Sequence, residues 1–137
     1  MGIIRGGDSE YEEHEPSFEE KTAEWQKTLE SLLEEELGTL KLSGRYISSD
    51  DVKIICNYPG VKSVRVLDLA DNQVNDEALP VLFESENLAQ LEELYLGINF
   101  LTGQGLRDIA CSSQIKLVNL KKLVISDNRL TDISVAD

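Results

Sequence analysis

At 137 residues and 41% hydrophobic content, the chain has the material for one domain of ordinary size with a real core. Its 26 acids against 13 bases give a formal net charge of −13, which argues against nucleic acid and anionic lipid as ligands. No stretch reaches the ~20 apolar residues that cross a bilayer, and the N-terminus MGIIRGGDSEYEEHE lacks the apolar run of a secretory signal, so the protein is expected to be intracellular, in the cytoplasm, without membrane insertion.

The first element in chain order is residues 1–16, which hold Gly6, Gly7 and a run of acids ending at Pro16. Apolar content this low predicts a flexible acidic tail. Gly2 invites comparison with a myristoylation signal, but Gly6 stands where that signal needs Ser or Thr. The charge is concentrated here and in the next element: residues 1–37 carry twelve carboxylates against three bases, a balance of −9, whereas the rest of the chain is at −4.

Residues 17–36 place Phe18, Trp25, Leu29, Leu32 and Leu33 at helical spacing, continued by Leu37, with glutamates between them. An amphipathic helix is predicted. Its apolar face, with the chain's one Trp, is suited to capping the exposed edge of whatever stack follows; the alternative is that it recruits a partner helix.

From residue 37 onward one pattern is written four times, apolar at offsets 0, 3, 5 and 10 and polar at offset 8. The copies are Leu37, Leu40, Leu42, Arg45, Ile47; then Val64, Leu67, Leu69, Asn72, Val74; then Leu91, Leu94, Leu96, Asn99, Leu101; then Leu120, Leu123, Ile125, Asn128, Leu130. Their starts at 37, 64, 91 and 120 are separated by 27, 27 and 29 residues. Alternation around offsets 3 and 5 predicts a short strand with one face inward. The polar residue, Asn in three copies and Arg45 in the first, can bond backbone groups left unpaired where the chain turns, so Asn72, Asn99 and Asn128 are expected to form a structural ladder.

Between strands, a second apolar set recurs at helical spacing: Val52 and Ile55; Ala78, Leu79 and Leu82; Leu106, Ile109 and Ala110. Ser48, Ser49 and Asp50 mark the start of the first helix and Asn75 and Asp76 the start of the second, while Gly103 and Gly105 lie at the turn into the third. Cys56, Phe83 and Cys111 share one column of this helix layer, which predicts packed thiols; two cysteines at this spacing make neither a disulfide scaffold nor a zinc site. The sequence stops seven residues after Leu130, before a fourth helix can form. Either it is a piece of a longer protein, or the last repeat is covered by another chain, including a second copy.

The run LEELYLGINFL and its three counterparts resemble the leucine-rich-repeat family, whose signature is LxxLxLxxNxL. The resemblance covers residues 37–137 as four repeats, the last incomplete, and implies an α/β fold: a right-handed solenoid arc with short parallel strands on the concave face and helices on the convex face. Repeats of this length that read LTGQGL after the Asn are similar to the ribonuclease-inhibitor-like subclass and to the repeats of RanGAP and tropomodulin.

In such a solenoid the residues between the leucines face a ligand. These are Thr39, Val66, Glu93 and Lys122 at offset 2; Lys41, Asp68, Tyr95 and Val124 at offset 4; Gly44, Asp71, Ile98 and Asp127 at offset 7. The partner-binding set is therefore read as Val66, Asp68, Asp71, Glu93, Tyr95, Ile98, Lys122 and Val124, centred on Glu93, Tyr95 and Ile98, where an aromatic, an apolar and a charged group share one repeat. The partner is expected to be another protein, with no cofactor and no metal.

No catalytic residue is assigned. The one histidine, His14, lies in the acidic tail, so a nucleophile paired with an imidazole is not available. Gly103 and Gly105 match GxG without the third Gly of a dinucleotide fingerprint. The expected function is a non-catalytic interaction module or assembly subunit. The resemblance leaves two other readings: a GTPase-activating regulator similar to RanGAP, or an actin-cytoskeleton regulator similar to tropomodulin.

Overall fold

The computed structural model describes residues 17–129. The acidic segment 1–16, Leu130 and the last seven residues lie outside the described residues. The elements, in order, are α1 (Phe18–Glu35), β1 (Thr39–Lys41), α2 (Ser49–Asn57), β2 (Val66–Asp68), α3 (Ala78–Phe83), β3 (Glu93–Tyr95), α4 (Gly103–Ala110) and β4 (Lys122–Val124). Short 3-10 turns at Pro59–Ser63 and Glu86–Leu88 lead into the second and third repeats; the apolar periodicity did not anticipate them.

The strands make one open, parallel sheet in the order β1-β2-β3-β4. Leu40, Leu67, Leu94 and Leu123 stand in one register row. Parallel pairing requires a long crossover between successive strands, which the repeat length supplies and fills with a helix. Most parallel sheets are covered on both faces and read as continuous apolar runs. Here the strands alternate: β1, β2 and β3 each bury their middle leucine between two less buried neighbours.

The core lies between this sheet and the helices. Leu40, Leu42, Leu67, Leu69, Leu94 and Leu96 have no exposed surface, and Val52, Ile55, Leu79 and Leu82 meet them from the helix side. Burying each such side chain is worth about 1.5–3 kcal/mol, so repetition of the pattern is what makes strands of three residues stable.

Helix α1 covers the first-repeat end. Ser17 and Glu20 form a reciprocal capping box at its start. Leu29 is fully buried, Trp25, Leu32 and Leu33 pack against the core, and the Trp25 indole N–H donates to Asp51 Oδ1 at 3.2 Å. That bond ties α1 to the capped start of α2, where Ser48 and Asp51 form a second reciprocal box.

Several local expectations are corrected. Phe18 and Leu37, assigned to the apolar face of the first helix, are 62% and 89% exposed. Leu37 lies on the turn after α1, just before Gly38 at φ +79, and so never enters the layer that holds Val64 and Leu91. The expected caps of the second helix do not cap it in the usual way. The residue before α3 is Glu77, with no side-chain cap, because Asn75 closes a local turn onto the Glu77 N–H while Asp76 accepts from the Thr102 N–H and hydroxyl of the next repeat.

Cys56 and Phe83 are buried as expected, but Cys111 and Ala110 are exposed, since they close α4 and no described helix packs beyond it. In the fourth repeat Leu123 is 38% exposed and Leu120 and Ile125 only half-buried, because β4 is the edge strand of the sheet.

Candidate functional site

Adjacent repeats are locked together by the asparagines. Asn72 accepts from the Arg45 and Ile47 N–H groups at 2.9 Å and donates to the carbonyls of Leu42, Leu69 and Ala70. Asn99 accepts from Val74 N–H and donates to Leu69, Leu96 and Gly97; Asn128 accepts from Leu101 N–H and donates to Leu96, Ile125 and Ser126. Each amide thus satisfies turning backbone in its own repeat and in the one before. Buried backbone groups left unpaired cost about 1–3 kcal/mol each, which is the penalty these amides remove.

With the repeats joined in this way, the open face of the sheet carries the side chains that nothing in the core uses. Registration makes them rows. Thr39, Val66, Glu93 and Lys122 form one, and Lys41, Asp68, Tyr95 and Val124 the next. Every residue of the sequence-derived binding set is half-buried or exposed. The Tyr95 hydroxyl donates to Glu93 Oε1 at 2.6 Å, and Lys122 Nζ lies 5.3 Å from the Tyr95 ring centre, so the middle of the face is a preorganised aromatic flanked by both signs of charge. One position before, Arg65 and Lys121 flank Glu92 at 3.7 and 4.0 Å.

Ile98 does not join Tyr95 and Glu93; it belongs to a third row, which has a shared backbone geometry. Gly44, Asp71, Ile98 and Asp127 all have positive φ, at 68°, 59°, 55° and 59°. In the first three repeats the left-handed bend lets the N–H reach a carbonyl of the next loop, as in Asp71 N to Gly97 O at 2.8 Å and Ile98 N to Ser126 O at 3.0 Å. Gly and Asp accept this conformation readily, but a β-branched residue does so at a cost of about 1–3 kcal/mol. Ile98 is also 53% exposed.

A fourth row was missed by the sequence reading. At offset 9 stand Tyr46, Gln73, Phe100 and Arg129, each beside the Asn slot of its repeat. Tyr46 is left-handed too, at φ 58°, and is 79% exposed; Phe100 is 44% exposed and lies 4.9 Å beneath the Arg129 guanidinium. Gly44, Tyr46, Asp71, Ile98 and Phe100 line a groove of about 320 Å³ along the loops that follow the strands. The clue in the sequence was two aromatics at one offset, beyond the last column that strand alternation singles out.

On the helix side, burial pushes the Cys56 thiol up to about 12, partly opposed by a hydrogen bond with Ser85. A larger hollow of about 680 Å³ lies there, between Phe18, Lys53, Pro80, Val81 and Glu84. Among the described residues no cluster of His, Cys, Asp and Glu is arranged to hold a metal ion, and no helix is long and apolar enough to cross a membrane.

A family model described as Leucine Rich repeat matches residues 62–80, the stretch holding β2, its Asn72 turn and the entry to α3. This match supports a leucine-rich-repeat family for the chain. Among solved structures the chain is similar to "Leiomodin-1 Actin-Binding Site 2 (ABS2)", with a TM-score of 0.55 and 17% identity. That likeness covers 83% of this chain and 65% of the other, so the chain spans just under two-thirds of the structure it matches. At this identity the likeness concerns the fold. No curated protein matches the sequence.

Proposed function

We propose that this protein is a non-catalytic protein-interaction module, a leucine-rich-repeat solenoid of the ribonuclease-inhibitor-like subclass that binds its partner through the open face of the sheet. The observation that carries this reading is the division of labour within each strand. Leucines and asparagines are consumed by the fold, while Val66, Asp68, Glu93, Tyr95, Lys122 and Val124 stand in register on the face the fold leaves uncovered. Mixed aromatic, apolar and charged groups on a rigid surface are the composition of an interface centre. Helix α1 acts as the cap of the first repeat, and the β4 end is a second place for another chain, including a copy of this one, to pack. The protein works in the cytoplasm, where a chain with free thiols persists.

The specific partner class that the likeness to a leiomodin actin-binding site favours is actin. Two measurements test the reading together. Affinity capture from native cytoplasm with wild-type protein and a Tyr95→Ala, Val66→Asp double variant should lose the partner with the variant while the melting temperature holds. Co-sedimentation with filaments, together with binding to monomeric actin, decides the actin form: binding lost in the same double variant supports it, and no binding to either actin state refutes it.

A further inference from the structure

We propose that the groove along the loops of the first three repeats binds an extended, basic segment of a partner protein, with one arginine seated between Asp71 and Tyr46 and an apolar side chain against Ile98 and Phe100. This rests on the interaction-module reading and names the chemistry of a subsite within it.

Three observations converge there. Two bulky residues, Tyr46 and Ile98, are held left-handed with their side chains exposed, at the same groove. Strain in the backbone persists where surrounding structure or function requires it; the other repeats meet the Ile98 bend with Gly44, Asp71 and Asp127, whereas Gln73, Phe100 and Arg129, the counterparts of Tyr46, have no positive φ. The second observation is charge. Asp71 is the one acidic residue lining the groove, and its side-chain carboxylate has no hydrogen-bond or ion-pair partner among the described residues, its backbone alone being bonded. The carboxylate borders the Gly44 turn, where a Cβ would stand 3.8 Å from Asp71 Oδ2, an ordinary contact.

The third observation is how this side of the molecule already treats cations: Lys122 stands over Tyr95 and Arg129 over Phe100. The Tyr46 ring, 79% exposed, has no such cation among the described residues. A planar guanidinium can pair with a carboxylate and stack on a ring at once, which an ammonium does less well. Arg129 at the Phe100 end repels a second cation, so the ligand's charge goes to Asp71 and its apolar group to Ile98 and Phe100. Tyr46 and Phe100 are two strand spacings apart, about 10 Å, the reach of about three extended residues. The overall charge of −13 steers a basic segment toward the molecule.

The probe is a capped five-residue peptide with arginine second, leucine fourth and glycine elsewhere, compared with its citrulline counterpart by NMR titration of the full chain. Saturable shifts centred on the amides of Gly44, Tyr46, Asp71 and Ile98 are expected. They should require about tenfold more peptide for the citrulline form and for Asp71→Asn, and about threefold more for Tyr46→Ala. Asn tolerates the left-handed backbone, so Asp71→Asn should melt as the wild type does. The proposal is overturned by equal affinity of the two peptides, by shifts spread along the acidic α1, or by an affinity that Asp71→Asn leaves unchanged. It is also overturned if these same amides shift with protein concentration alone, which assigns the groove to a second copy. Loss of peptide binding with partner capture through Tyr95 intact removes this subsite and leaves the interaction-module reading standing.

Discussion

The buried and open faces of one sheet differ by a single residue step, yet they answer to different demands. Leu94 has no exposed surface and sits in a row of leucines; its neighbours Glu93 and Tyr95 face outward and bond each other. The contrast is sharpest at Ile98 and Asn99. Asn99 places its amide among four backbone groups of two repeats, whereas Ile98 next to it is exposed and held in a conformation unfavourable for its type. Adjacent positions thus show one residue chosen by the fold and one that the fold would have chosen differently. The lesson is that stability is concentrated in columns, and that a position such as Ile98 departs from what the fold alone prefers.

The largest effect should come from emptying the buried face. Leu94→Ala is expected to cost about 2–5 kcal/mol in denaturant unfolding, through lost burial and the cavity left in a packed column. Asn99→Ala comes next, at about 1–3 kcal/mol, because the turning backbone of two repeats loses its partner. If Asn99→Ala were neutral, the ladder would be incidental to the stack.

The thiols offer a pH test of the same division. Burial makes Cys56 hold its proton to about 12 when folded, against an ordinary thiol value of 9.0. The unfolded chain therefore releases that proton first, so stability is unaffected below about pH 9 and falls as pH rises from there toward 12. Cys56→Ala should flatten that decline relative to the wild type. A thiol reagent at pH 8 should modify the exposed Cys111 rapidly and Cys56 only on unfolding.

On the open face the expected signs change. Ile98→Asn should raise stability by about 1 kcal/mol by relieving left-handed strain, and weaken partner binding at the groove. Smallest in stability is Tyr95→Ala, within about 0.5 kcal/mol in unfolding, with its main effect read in partner capture. A Tyr95 variant that unfolds as readily as the Leu94 variant would erase the distinction between the two faces.

The repeat was legible because burial in a stacked sheet is periodic: each strand must present the same residues to the same layer, so Leu40, Leu67 and Leu94 recur at one interval. Asparagine at offset 8 was legible for the same reason, since each turn leaves similar backbone groups unpaired. Positions outside that periodic demand were misread. Cys111 follows the column of Cys56, yet is exposed because covering it depends on a neighbouring helix. Asp76 looks like a helix cap by local chemistry but bonds Thr102, 26 residues away.

Sequence alone therefore determined the strand and helix pattern, the parallel order implied by the crossovers, and which face of each strand is apolar. Only the tertiary structure decided that Tyr46 and Ile98 are held left-handed, that both line one groove with Asp71 and Phe100, and that Tyr95 is tied to Glu93. The physical reason is range. Hydrophobic periodicity is written within each repeat, whereas a groove, a strained loop and the fate of a carboxylate are set by residues one or two repeats away, which the local pattern does not encode.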